Sequence, residues 1–290
     1  MSDTNGSPVS IPARDGFELA ASLYPAAQPH RLNHMVVINS ATAVNQRFYR
    51  RLAGHLSTKG FSALTYDYRG VAKSRPKTLR GFSARMRDWG LLDMAGVIDW
   101  VRREHAPDTL SLIGHSVGGQ IAGLLDNAQH VDAMVTFSSQ SGYWALQGSE
   151  QKAVVFLHAY VTMSFFARTL GYLPWSKFGG EDIPGGVALE WAKWCRNERY
   201  LLDDNSLPLD RYETFDAPVL AFSFDDDKWG TPKAVDAMMG AYPKLERRHI
   251  EPRAVGMKSI GHFGGFRSNA SAIWDEAIEW LALKGKSKAN

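Results

Sequence analysis

The chain has 290 residues, 44% of them hydrophobic and 22% charged, enough for one large domain or two ordinary ones around a sizeable core. A formal net charge of +3 without a basic stripe gives no support for a nucleic-acid partner. The single cysteine, Cys195, excludes an intrachain disulfide and a cysteine-rich zinc site, and fits a reducing cytoplasm.

Residues 1–10 are polar and lack the apolar run of a secretory signal. Residues 9–13 and 17–24 flank Arg14-Asp15-Gly16 and read as two short strands joined at an Asp-Gly turn. Residues 35–39 form the apolar run of a buried parallel strand. A helix over 49–56 follows, closed by Gly60, and then a strand over 61–66. Residues 89–103 have helical periodicity, with Leu92, Ala95, Val97, Ile98 and Val101 apolar. A strand over 109–113, a helix over 117–125 and a strand over 131–137 come next. Such alternation predicts an α/β chain: a mostly parallel sheet flanked by helices, with strand C-termini along one edge where sites form.

The rhythm changes after Ser141. Residues 142–212 are rich in Trp, Tyr, Phe and Gly, read as helical and show no evident strand. Their most apolar stretch, 154–173, is interrupted by His158 and Arg168, so no membrane span is expected. Alternation resumes with a strand over 218–224, a helix over 234–239, a strand over 248–251 and an amphipathic helix over 272–283. The expected organisation is a core of residues 1–141 and 213–290, with 142–212 inserted as an aromatic-rich helical cap. The basic tail at Lys284, Lys286 and Lys288 reads as a solvated end.

Gly114-His115-Ser116-Val117-Gly118-Gly119 lies between a buried strand and a helix. A serine there must turn sharply in strained backbone, and small neighbours are needed on both sides. Ser116 is therefore the candidate nucleophile. A serine hydroxyl needs a base, and His262, in a loop between the last strand and the last helix, is the candidate. His115 stands beside the serine with its side chain turned elsewhere. His30 and His34 fall in an early loop, and His158 in the insertion. The base needs a carboxylate to hold its tautomer. The strand over 218–224 runs into Asp225-Asp226-Asp227, and Asp227 is preferred, with Asp226 as the alternative. Two amides must face the developing oxyanion. They are assigned to Val117 and, in the loop Ser40-Ala41-Thr42-Ala43-Val44, to Ala41, with Thr42 as the alternative.

With these residues in place, the chain resembles the α/β-hydrolase superfamily over nearly its whole length. More narrowly it resembles a bacterial group known only as predicted α/β hydrolases. The resemblance rests on Asn39-Ser40-Ala41-Thr42-Ala43, Asp67-Tyr68-Arg69-Gly70, the run around Ser116, Ser141-Gly142-Tyr143-Trp144 and Gly261-His262-Phe263-Gly264. It implies the α/β-hydrolase fold and the Ser116, Asp227, His262 triad, but no substrate.

The expected activity is that of a serine hydrolase on a small-molecule ester or thioester with an apolar portion, without metal or organic cofactor. Tyr143 and Trp144 are candidate substrate contacts. Acyl transfer or cofactor-free peroxide chemistry at the same triad, and a non-catalytic binding protein of this fold, are the alternatives. Phe156, Tyr160 and Phe166 also suit a dimer or membrane-surface patch, though no sequence feature calls for a homodimer.

Overall fold

The computed structural model describes residues 6–28 and 33–285. The expected readings at His30 and at Lys286 and Lys288 lie outside the described residues. Eight strands form the main sheet: β1 (Ser7–Pro12), β2 (Glu18–Tyr24), β3 (His34–Asn39), β4 (Ser62–Tyr66), β5 (Thr109–His115), β6 (Ala133–Phe137), β7 (Val219–Phe224) and β8 (Leu245–Ile250). Their order is β1-β2-β4-β3-β5-β6-β7-β8. The hairpin β1–β2 is antiparallel, and β2 also runs antiparallel to β4. From β4 to β8 every pairing is parallel. The central strands β3, β5, β6 and β7 are buried at every residue, as strands covered on both faces must be.

The helices that accompany the sheet include α1 (Arg50–Thr58), α2 (Ala95–Glu104), α3 (Val117–Gln120), α4 (Ser149–Leu157), α5 (Met163–Thr169), α6 (Gly185–Arg196), α7 (Pro232–Met239) and α8 (Ser271–Gly285). Strand residues alternate between two apolar clusters. Val36, Ile38, Val135 and Phe222 pack with Leu52 and Leu56 of α1 and Ile273, Ala277 and Leu281 of α8. Met35, Val37, Leu112, Met134 and Ala221 pack on the other face with Val97 and Val101 of α2 and Val235 and Met239 of α7. Ala192 and Trp194 of α6 join this second cluster, so residues following Ser141 share the core. Arg87 fastens α6: its backbone N–H and Nε donate to the two Glu190 oxygens at 2.8 and 2.6 Å. Among the described residues, no helix is long and apolar enough to cross a membrane.

Three local expectations are corrected. His34 is not in a loop but opens β3, buried, with Nε2 2.8 Å from the Ser111 hydroxyl on the neighbouring strand. Residues 142–212 hold one small antiparallel pair, Tyr172–Leu173 with Ile183–Pro184. The helix over 117–125 is α-helical only to Gln120 and continues as a 3₁₀ turn, Ile121–Leu124. The cause is a side chain inserted into the ladder. The Tyr242 hydroxyl donates to the Gly119 carbonyl at 2.7 Å and accepts the Gly123 N–H at 2.8 Å, replacing a direct helical bond between them.

The loop after β4 is a buried clamp. Arg69 donates from Nε and its backbone N–H to Asp93, at 2.6 and 2.9 Å, and from Nη1 and Nη2 to Asp15 in the β1–β2 turn. Tyr68 stacks on Trp89 at 4.8 Å, and the Ser74 hydroxyl donates to the Asp67 carbonyl. Burial pushes the Asp93 carboxyl up, and Arg69 opposes this. Arg69→Leu strips the fully buried Asp93 of its cation. It should lower stability by about 3 kcal/mol in urea unfolding, with most of the loss recovered when Asp93 is also made Leu.

Candidate active site

Ser116 follows the last residue of β5 with φ 52° and ψ −117°, a left-handed conformation that costs a non-glycine residue about 1–3 kcal/mol. The turn closes with no room to spare. A Cβ on Gly114 would sit 2.5 Å from the Gly119 nitrogen, one on Gly118 would sit 2.4 Å from the Asn39 carbonyl oxygen, and one on Gly119 would sit 2.3 Å from the Ser139 hydroxyl. The Ser116 N–H donates to the Phe137 carbonyl at the end of β6, holding the turn against the neighbouring strand. The Val117 N–H opens α3, where no carbonyl of the same helix can reach it.

The acids after β7 divide their work. Asp227 Oδ2 lies 2.9 Å from His262 Nδ1, and its Oδ1 accepts the Trp229 and Gly230 N–H groups at 2.9 and 2.8 Å. The Asp227 side chain is fully buried and that of His262 is 9% exposed. Burial pushes the Asp227 carboxyl up, but the His262 charge and hydrogen bond, with the Gly230 amide, outweigh it and hold it at about 2. Asp226 takes a different part. Its oxygens accept the Ile260 and Gly261 N–H groups at 2.9 and 2.8 Å, and so pin the loop that carries His262.

His115 points away from the cavity, as its position predicts, and heads a buried chain of hydrogen bonds. Its Nε2 lies 2.9 Å from the His262 carbonyl oxygen, which can only accept, so Nε2 carries the proton. Its Nδ1 then accepts the Tyr49 hydroxyl at 2.8 Å, and that hydroxyl accepts the Ala41 N–H at 2.8 Å. Burial, with the nearby His262 charge, pushes the His115 pKa well below the usual histidine value and keeps the ring neutral.

This chain corrects the Ala41 assignment. The Ala41 amide is spent on Tyr49 inside the protein and is not available to a ligand. Thr42, one residue on, lines the cavity, and its N–H has no acceptor among the described residues. The Ser40 side chain and Asn39 organise this loop through Tyr66: Asn39 Oδ1 accepts the Tyr66 hydroxyl at 2.9 Å.

Ser116 and His262 wall the same outer cleft, of about 590 Å³, together with Thr42, Trp175 and Trp229. A second, inner chamber of about 40 Å³, walled by buried residues that include Gln120, Gln140, Val155 and Met163, also borders Ser116. Tyr143 and Trp144 are a further correction, because neither lines either space. Trp144 packs edge-on against Phe156 at 5.2 Å instead. Other rings within residues 142–212 differ in setting. Trp194 is core, Trp175 and Trp191 line the cavity, and Phe156, Tyr160 and Phe165 are exposed. Trp229, which sequence patterns do not single out, also lines both spaces, and its place two residues after Asp227 is a usable signal.

Two outcomes are expected from this geometry. Tyr49→Phe strands the buried Ala41 N–H and His115 Nδ1, and should cost about 1–3 kcal/mol for each in chemical unfolding. Asp227, depressed from 3.8 to about 2, contributes stability above its ordinary value that is lost as pH falls through about 2. Acid titration of unfolding should therefore show wild type losing about 2 kcal/mol that Asp227→Asn does not lose.

The family model described as serine aminopeptidase, S33, matches residues 30–176, just over half of the chain. The match includes Ser116 and ends before Asp227 and His262. An acyl transferase from Photobacterium phosphoreum is 23% identical over 216 residues, or 74% of this chain. The aligned region spans 65% of that relative's length. Among solved structures, Est1E from Butyrivibrio proteoclasticus with ferulic acid bound is 16% identical, with a TM-score of 0.65 over 96% of this chain and 99% of that one. Proline iminopeptidase from Mycobacterium smegmatis is 13% identical, with a TM-score of 0.64 over 97% and 100%. At these identities the structural likenesses show the fold alone. The chain has the α/β-hydrolase fold and belongs to the serine aminopeptidase S33 family.

Proposed function

We propose that the chain is a serine hydrolase that cleaves an ester or thioester through an acyl-enzyme on Ser116. The observation that carries this reading is the buried Asp227–His262 contact, at 2.9 Å, with His262 lining the same cleft as a strained Ser116. In this reading Ser116 Oγ attacks the carbonyl carbon and His262 accepts its proton. Asp227 fixes the His262 tautomer and stabilises the imidazolium. The amides of Val117 and Thr42 receive the oxyanion. His262 then protonates the departing alcohol or thiol, and deprotonates the water that releases the acid. Residues 142–212 act as a cap over a core made of 1–141 and 213–290. The buried thiol of Cys195, pushed up by burial, takes no part and suits a cytoplasmic setting.

The family's description carries a peptidase reading. An aminopeptidase must hold a substrate ammonium, and the charged residues lining the cleft are Arg47, Arg50 and one acid, Glu181. That balance favours a neutral or anionic substrate over a cationic one. Acyl transfer is the second reading, favoured by the named activity of the Photobacterium relative. It differs only in the nucleophile that takes the acyl group from Ser116.

A fluorophosphonate probe should label the wild type and not Ser116→Ala. Labelling of both to the same extent would overturn the nucleophile assignment. On p-nitrophenyl esters, Asp227→Asn should lower kcat by about 10⁴. Asp226→Asn, which only loosens the His262 loop, should lose far less. Equal losses would move the acid's role to Asp226. Added alcohols that divert most product from acid to ester would identify transfer over hydrolysis.

A further inference from the structure

The cavity is divided at the candidate nucleophile. Ser116, Thr42, Gln140, Trp175, Trp191 and Trp229 line both the outer cleft and the inner chamber, and form the neck between them. His262 lines only the outer cleft. That asymmetry assigns the two halves of a substrate. The group that His262 protonates, and the water it activates, must stand on its own side. The acyl chain then has the other side. With the carbonyl oxygen near Thr42, at the neck, that side is the inner chamber.

The chamber is small. Its volume, about 40 Å³ against about 590 Å³ for the cleft, suits the smaller of the two halves of a substrate. Its wall is also stiff. Gln120 Nε2 donates to the Gln140 carbonyl at 2.6 Å. Gln147 Nε2 donates to the Ser141 and Tyr143 carbonyls at 2.9 and 3.1 Å. These bonds lock the turn that follows β6. In the same wall, His158, Trp175 and Trp191 form a continuous stack, with centroids 6.2 and 5.4 Å apart. Arg196 ties α6 to the Ala159 carbonyl at 2.7 Å. Longer chains would have to break hydrogen bonds or unstack rings to enter.

We propose that the inner chamber is the acyl subsite and that it admits only a short acyl group, of acetyl or propionyl size. The larger alcohol or thiol portion occupies the outer cleft. This rests on the acyl-enzyme reading above and adds the substrate class. Its chain-end walls are Val155 and Met163, which face the chamber and not the cleft.

The test is kcat/KM on p-nitrophenyl acetate, propionate, butyrate, hexanoate and octanoate, run beside fluorophosphonate labelling of the same preparation. With Ser116 labelled, kcat/KM should peak at acetate or propionate and fall by about tenfold or more for each misfitting methylene beyond it. Met163→Ala, and independently Val155→Ala, should move the peak toward butyrate or hexanoate. A labelled enzyme that turns over octanoate as well as acetate, or whose peak stays put in both variants, would overturn the short-acyl subsite while leaving the nucleophile standing. An enzyme whose Ser116 cannot be labelled would overturn the acyl-enzyme reading, and the subsite with it.

Discussion

One backbone conformation organises the rest of the molecule. Ser116 is held at φ 52° where β5 gives way to α3, and three glycines around it have no space for a side chain. The strain is affordable only because the surroundings over-determine it. The Asn39 carbonyl at the end of β3 presses on Gly118, and the Phe137 carbonyl at the end of β6 accepts the Ser116 amide. The turn is thus defined by its neighbours in the sheet, and parallel order brings those strand ends together. The helix after it yields where the fold requires, with Tyr242 taking a place in its hydrogen-bond ladder.

From this turn a hydrogen-bonded line runs through the core. His115, next to Ser116, joins the His262 carbonyl to Tyr49, and Tyr49 joins it to Ala41. Two loops remote in sequence are thereby held in register by one neutral ring. Every proton along the line has a single direction, set by a carbonyl that can only accept. Tyr49 and His115 line neither space, while the residues at the two ends of the line, Ala41 and His262, border the cleft.

The sequence made the framework readable because periodicity and glycine spacing are local. The runs at 35–39 and 218–224 announce strands buried on both faces, and Gly114-x-Ser116-x-Gly118 is legible beside them. The run of three acids allows only a preference for Asp227 over Asp226, and their contacts differ: Asp227 meets the His262 ring and Asp226 the Ile260 amide. Other features depend on partners far along the chain. Ala41 gives no sign that Tyr49 takes its amide. Nor do Tyr143 and Trp144 reveal that their rings turn from the cavity while Trp229, more than eighty residues on, enters it. The shortening of the helix at Gln120 likewise depends on Tyr242, which no window around residue 120 contains.

Trp229 joins two properties in one residue. Its backbone N–H holds Asp227 Oδ1, and the same residue forms part of the cavity wall. The turn that steadies the acid is therefore also a piece of the container. Divergence toward other substrates is free to proceed through α4, α5 and α6, where wall residues have no part in steadying the acid. Along 227–230, any reshaping of the container also disturbs the acid. The lineage of this chain should then carry its variety on one wall and its constancy on the other.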